Sequence, residues 1–221
     1  MHAVTIDVIK ENKDYLAVYK SGNVKTVPLK SQRDEEESLL FLLSQHYPEI
    51  LSVNGKNPWE GGVIHRLDTL TSGLVLVARN DSFYKKIIEE QKKGCFIKRY
   101  VAKLSESSET EGFESFPYTL KKGETISSYF RAYGRGRKAV RPVLIKKNRD
   151  TDVLYETEIL SLTGDEIIVE IKRGFRHQIR SHLAWSGRAI VGDALYGGDE
   201  CDHLQLCCYE ISFLGETISL P

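Results

Sequence analysis

The chain has 221 residues, 41% of them hydrophobic and 28% charged, which suits one folded domain with a real core and argues against a disordered or fibrous chain. Its formal net charge is zero, so no uniform basic field marks it for nucleic acid, and no apolar run approaches the ~20 residues of a membrane span. Met1-His2-Ala3-Val4 leads straight into mixed polar sequence with no secretion signal, and Cys95, Cys201, Cys207 and Cys208 form no C-x-x-C pair, so the expected compartment is a reducing cytoplasm.

Asp14 to Tyr19 reads as a short strand, followed by a turn at Ser21-Gly22-Asn23. Leu39, Leu40, Leu42 and Leu43 give Ser38 to His46 helical spacing, and Pro48 stops it. Leu74 to Ala78 is a continuous apolar run that suits a buried strand. Asn80 to Gly94 carries helix signals at both ends, with Phe83, Ile87 and Ile88 as its stripe. Phe96 to Leu104 has a strand pattern, and 105–125 is polar and reads as a loop or hairpin. Strands return at Val153 to Leu162 and Asp165 to Ile171, around Thr163-Gly164. His177 to Gly187 reads as a helix with Ile179, Leu183 and Ser186 on one side, and Gly187 stops it. Tyr209 to Phe213 and Glu216 to Leu220 make a final hairpin about Gly215. Strands and helices alternate without a strict βαβ order, which predicts an α+β fold with a mixed sheet.

The neutral total hides local asymmetry. Acids cluster at Asp34 to Glu37 and from Glu106 to Glu114, whereas Arg131 to Arg149 holds eight Lys or Arg and no acid, and Lys172 to Arg188 holds five more, also with no acid. Each run by itself is satisfied by a solvated charged loop. Two of them together predict a basic face of the kind that releases counterions on binding RNA.

Three segments carry chemistry. In His65-Arg66-Leu67-Asp68-Thr69-Leu70-Thr71-Ser72-Gly73-Leu74 an acid sits on a loop that enters a buried strand, with Thr71 and Ser72 able to bond local amides and Gly73 free to turn tightly. Spacing alone favours Asp68 as an ordinary residue of a capped turn. In Arg173-Gly174-Phe175-Arg176-His177-Gln178-Ile179-Arg180, two arginines four apart share a helix face near an N-terminus, where anions are favoured. A plain basic surface helix would look the same. Gly187 to Gly198 contains four glycines without the order of a phosphate-binding P-loop, which reads as tight turns.

Together these segments resemble the RluA-type pseudouridine synthases. The family's H-R-L-D-x-x-T-S-G-L matches His65 to Leu74 without a break, its H-Q-[IL]-R matches His177 to Arg180, and its G-x-x-I-x-G-D-x-x-Y-G matches Gly187 to Gly197. Its Lys-x-Tyr-x-Ala strand matches Lys98 to Ala102. The resemblance implies that Asp68 is the nucleophile, that Tyr100 packs against the target base and assists proton removal, and that Arg180 pairs with the aspartate. Arg66 corresponds to the arginine that wedges into the stack left by a flipped base. The resemblance further implies the pseudouridine synthase fold: a mixed, largely antiparallel sheet with flanking helices and a central cleft.

The chain departs from the family in two places. Its basic residue before His-Gln stands one position later, at Arg176, and Lys20-Ser21-Gly22 stands where Lys-Pro-x-Gly is usual. The catalytic pattern begins near residue 15, so residues 1–221 are expected to form one catalytic domain without a separate N-terminal RNA-binding domain. Affinity for structured RNA, an rRNA or tRNA stem-loop, is then expected from Arg131, Arg135, Arg137, Lys138 and Arg141, interleaved with Tyr129, Phe130 and Tyr133. An ordinary hairpin with a charged tip would show the same composition. Arg66, Arg176, His177 and Gln178 complete the expected RNA contacts. The expected protein is a monomer with no membrane, cofactor or metal, since C-x-H-x3-C-C from Cys201 to Cys208 fits no usual zinc site. A catalytically silent RNA-binding or ribosome-assembly protein of the same fold is the alternative. A glycosidase would usually show a second carboxylate, and Asp193, the one acid in the other motifs, reads as a turn residue.

Overall fold

Among the described residues strands hold more of the chain than helices, and several of the strands alternate buried and outward side chains. The computed structural model describes residues 7–28, 38–106 and 112–221. The acidic run Asp34 to Glu37 and the middle of the Glu106 to Glu114 stretch lie outside the described residues. In chain order the strands are β1 (Asp7–Glu11), β2 (Tyr15–Lys20), β3 (Ser72–Ala78), β4 (Ile97–Lys103), β5 (Thr125–Tyr133), β6 (Ala139–Val143), β7 (Tyr155–Thr163), β8 (Glu166–Ile171), β9 (Leu206–Phe213) and β10 (Glu216–Ser219). The α-helices are α1 (Leu39–Ser44), α2 (Asp81–Lys93) and α3 (Gln178–Trp185). The fold is mixed α+β and largely antiparallel, as expected from sequence. The chain divides into two compact units, Met1–Phe96 with Cys207–Pro221, and Ile97–Leu206.

In the first unit β1 pairs with β2 and β2 with β3, both antiparallel, while β9 lies parallel to β3 and forms the final hairpin with β10. Leu16, Ala17 and Val18 of β2 and Leu74 to Ala78 of β3 are all at 0% exposure. That is why these segments read as continuous apolar runs and not as alternating ones. α2 starts where Asn80 accepts a hydrogen bond from the Phe83 amide and ends at Gly94, whose φ of 73° suits a left-handed cap. Its inward stripe brings Phe83 against Tyr15 (5.2 Å, stacked), with Phe213 edge-on to both rings. Ser38 caps α1 by accepting from the Phe41 amide. Sequence reading assigns no strand to β1, β5 or β6; the Asp-Val-Ile-Lys-Glu of β1 is mostly exposed and shows no apolar face, and in 126–143 the charge pattern masks the alternation.

In the second unit the antiparallel order is β4-β8-β7-β5-β6. The basic-aromatic stretch forms the β5–β6 hairpin, with Tyr129 opposite Val143 and Tyr133 opposite Ala139. α3 packs against β6 and β7, and this overturns its one-sided reading: all eight of its residues are buried. The helix tolerates this because its polar side chains find partners. His182, fully buried, lies 2.9 Å from both Ser128 Oγ and Thr157 Oγ1, and burial pushes its pKa down to about 3. Phe130 stacks on Phe175 at 5.1 Å, and Phe116 and Tyr118 pack edge-on against Trp185.

Candidate active site

The loop that carries Asp68 belongs to the first unit and is held at several points. Thr26 Oγ1 donates to the Leu67 carbonyl (2.9 Å) and accepts from the Leu67 amide (3.1 Å), clamping both polar groups of the preceding residue. The Thr71 amide donates to the Asp68 carbonyl (3.0 Å) and closes the turn. On the upstream side, the Leu76 amide donates to His65 Nε2 (3.3 Å), and the Ile64 amide donates to the Leu76 carbonyl (3.0 Å). Gly73 ends the loop at φ 119°, where a Cβ would lie 2.3 Å from the Cys208 carbonyl oxygen; only glycine lets β9 approach this closely. The Asp68 side chain is left half-buried.

Beneath the loop lies Lys20, at 0% exposure. Its ammonium donates to the carbonyls of Ser21 (2.9 Å), Val24 (2.7 Å) and Thr69 (3.2 Å). Burial lowers its pKa to about 8, while the negative charge of Asp68 acts in the opposite direction. Lys20 therefore places a cation within electrostatic reach of Asp68. Sequence reading assigns Lys20 no role of its own, because a lysine ending a strand is usually solvated. Arg66 points outward, its side chain 61% exposed, and its Nη1 lies 2.8 Å from Oε1 of the buried Glu60.

Tyr100, Arg180 and their neighbours belong to the second unit. Strand alternation puts Lys98, Tyr100 and Ala102 on one buried face of β4, with Tyr100 opposite Val169. The guanidinium of Arg180, 3% exposed, donates from Nε and Nη2 to the two carboxylate oxygens of Asp193 at 2.7 Å each. Asp193 is at 0% exposure, so the reading of it as a simple turn residue is corrected: it is a buried acceptor for the arginine. A Gly-Asp pair gives no sign of this, because the partner stands thirteen residues away in sequence. The glycines around it serve backbone packing. A Cβ on Gly198 would meet the Ile190 carbonyl oxygen at 1.9 Å, and one on Gly192, at φ 83°, would meet that of His203 at 2.2 Å.

The expected RNA contacts divide by environment. Gln178 is 2% exposed and its carboxamide accepts from the Phe175 amide and donates to the Glu156 carbonyl and Thr157 Oγ1. It holds the turn before α3 and lies inside the fold. His177 sits at φ 54° with Nδ1 3.2 Å from the Tyr196 hydroxyl. Its pKa is pushed down to about 4, first by burial and then by Arg180 and Arg176. Arg176 is exposed but donates to the backbone carbonyls of Arg137 and Ala139. Arg131 is gripped by both oxygens of Asp150 (2.6 and 2.8 Å), and Arg141 donates to the Gly112 carbonyl. Arg137 and Lys138 are exposed at the hairpin tip, and the side chain of Arg135 lies outside the described residues. Among the described residues no group of three His, Cys, Asp or Glu side chains is arranged to hold a metal ion.

Residues 14–185 match the family model for RNA pseudouridylate synthases. The chain is 29% identical over 194 residues to an uncharacterized RNA pseudouridine synthase of Helicobacter pylori (strain J99), covering 87% of this chain and 55% of the relative. It is 28% identical to the 21S rRNA pseudouridine(2819) synthase of Eremothecium gossypii, over 100% of this chain and 75% of that protein. The chain thus spans about half the length of the first of these curated relatives. Among solved structures, human RNA pseudouridylate synthase domain containing 1 superposes with a TM-score of 0.67 at 20% identity, over 98% of this chain and 82% of that one. That likeness shows a shared fold.

Proposed function

We propose that this chain, which belongs to the RNA pseudouridylate synthase family of the RluA type, isomerises uridine to pseudouridine in structured RNA. Residues 1–221 act as one catalytic domain. Asp68 is the nucleophile, Tyr100 packs against the target base and assists proton removal, and Arg180 is the arginine that serves the aspartate. Arg66, exposed and next to the loop, enters the stack left by the flipped base. Arg137 and Lys138 grip phosphates, and Arg131, Arg135, Arg176 and His177 contribute further RNA contacts.

The chemistry asks for residues of this kind. The N1–C1′ bond breaks, the base turns, C5 bonds to C1′, and the C5 proton is lost as N1 regains one. No electrons are gained or lost and no outside group is transferred, so the balance requires neither a redox cofactor nor a phosphoryl donor. It does require an ionised carboxylate in a partly dry setting, which a nearby cation favours. The base must also leave its helix, which costs a few kcal/mol that stacking and wedging side chains offset.

The observation that carries the reading is the setting of Asp68: a half-buried carboxylate on a loop clamped by Thr26 and underpinned by the buried ammonium of Lys20. A rigid, charged, accessible nucleophile is what the reaction uses. The reading extends to a monomer acting in the cytoplasm on an rRNA or tRNA stem-loop, and the four free cysteines fit a reducing compartment. The test is release of tritium from RNA carrying 5-tritiated uridine. Release by the wild type and none by Asp68→Asn is the expected result; equal release by both proteins would overturn it.

A further inference from the structure

We propose that Asp193 is a positioning residue that, together with Tyr196, fixes the guanidinium of Arg180 in the one orientation its catalytic work needs. This rests on the reading of Arg180 as a catalytic group. Asp193 takes the Nε and Nη2 edge of the arginine in a fork-to-fork pair at 2.7 Å on both arms, which sets the plane of the guanidinium as well as its place. The Tyr196 ring covers the arginine, with the guanidinium carbon 5.4 Å from the ring centroid.

Tyr196 is itself immobilised. Its hydroxyl donates to the Val140 carbonyl (3.0 Å) and accepts from the Val140 amide (2.9 Å), so it is bolted to β6. His177, edge-on at 5.8 Å, approaches the same hydroxyl. The Asp193 backbone is equally constrained: its amide donates to the Ile190 carbonyl, and its own carbonyl accepts from the amides of Tyr196 and Gly198. The tight packing at Gly192 and Gly198 gives this loop a single path. The glycine-rich segment thereby has a purpose that ligand binding does not supply: it delivers one carboxylate and one aromatic ring to Arg180.

A buried ion pair is a poor means of stabilising a fold, since desolvation opposes the Coulombic gain, and well-packed apolar residues do as well or better. What such a pair does supply is a fixed geometry. An arginine held on one edge by Asp193 and on its face by Tyr196 cannot turn away when RNA binds.

The experiment has two arms. In the first, the Arg180 side-chain Nε–Hε resonance is followed by NMR in the wild type and in Asp193→Asn. One exchange-protected peak in the wild type, lost or broadened in the variant, is expected; an unchanged peak overturns the proposal. In the second, single-turnover tritium release and RNA affinity are measured for Asp193→Asn, Arg180→Lys and the double variant, with circular dichroism to verify folding. Asp193→Asn should lose about 100-fold in rate, as a small misplacement of a catalytic group does, while RNA affinity holds. The double variant should be little slower than Arg180→Lys, because both changes remove one function. Rate losses that multiply, or rate and affinity falling together, would assign Asp193 a role apart from Arg180 and overturn the proposal. If Asp193→Asn does not fold, Asp193→Glu, which keeps the charge, should restore the NMR peak in part and the rate with it; restored folding without either sinks the idea. A wild type that releases no tritium from any RNA refutes the pseudouridine reading, while the NMR arm still decides whether Asp193 orients Arg180.

Discussion

Lys20 Nζ donates to the carbonyl of Thr69 at 3.2 Å, tying a fully buried ammonium to the residue that follows the candidate nucleophile. Two effects of opposite sign meet there. Removing the lysine leaves buried carbonyls without their donor, at about 1–3 kcal/mol for each group not rescued. It also removes a buried charge, whose desolvation is several kcal/mol unfavourable. Lys20→Met should therefore change the Tm little, yet lower turnover by about 100-fold because the Asp68 loop loosens. Differential scanning calorimetry beside tritium release tests this; a collapse of Tm with turnover intact per folded molecule would refute it.

The same lysine has a pH signature. Its folded pKa is lowered to about 8 from the ordinary 10.5. Between those values the unfolded chain holds the proton and the folded chain does not, so stability contributed by this group rises with pH through that window. The wild type should gain unfolding free energy from pH 8 to 10.5 relative to Lys20→Met. Parallel urea titrations with a constant difference would contradict the assignment.

On the acid side two histidines act together. His182 is depressed to about 3 and His177 to about 4, from 6.5. Both are neutral in the folded protein at neutral pH, and their contribution is complete above 6.5 and lost as pH falls below it. Each adds a slope of about 1.4 kcal/mol per pH unit where it titrates only in the unfolded chain. His182→Gln should flatten the acid limb of the stability curve measured from pH 6.5 to 4, and an unaltered slope would count against a neutral, buried His182.

Two glycines separate steric need from backbone need. Gly198→Ala would drive a Cβ to 1.9 Å from the Ile190 carbonyl oxygen, whereas Gly164→Ala, at φ 63°, meets nothing within 4 Å. The first should destabilise by about 1–3 kcal/mol from overpacking and also slow turnover, since Asp193 and Tyr196 move with that loop. The second should lose about 1 kcal/mol from its left-handed backbone alone and keep its rate. Equal rates for the two variants would refute the link between loop path and catalysis.

The basic hairpin holds arginines of two kinds. Arg131 is locked on Asp150, and its loss should weaken the fold more than the RNA complex. Arg137 and Lys138 are exposed at the tip. Alanine at either should weaken RNA binding and reduce the slope of log K against log salt by about 1. Filter binding at several salt concentrations reads both; an undiminished slope in both tip variants would remove the hairpin from the RNA surface.

Local chemistry was legible in the sequence. The Gly94 stop of α2, the apolar runs of β2 and β3, and the Gly215 hairpin each depend on residues close in the chain, so spacing and turn chemistry sufficed to find them, while the structure chose Asn80 over Asp81 and Ser82 as the cap of α2. The motif from His65 to Leu74 likewise named Asp68 as the candidate nucleophile. The tertiary structure alone decided which charged groups are buried and what each one holds. Lys20 reaches Thr69 across forty-nine residues, and Arg180 is gripped by Asp193 on a loop whose glycines read only as turns. The reason is physical: a charge can be buried only where the fold gathers partners for it, and those partners come from distant parts of the chain. A sequence shows the charge but not its neighbours, so α3 looked like a one-sided basic helix until its packing against β6 and β7 showed every residue of it to be inside.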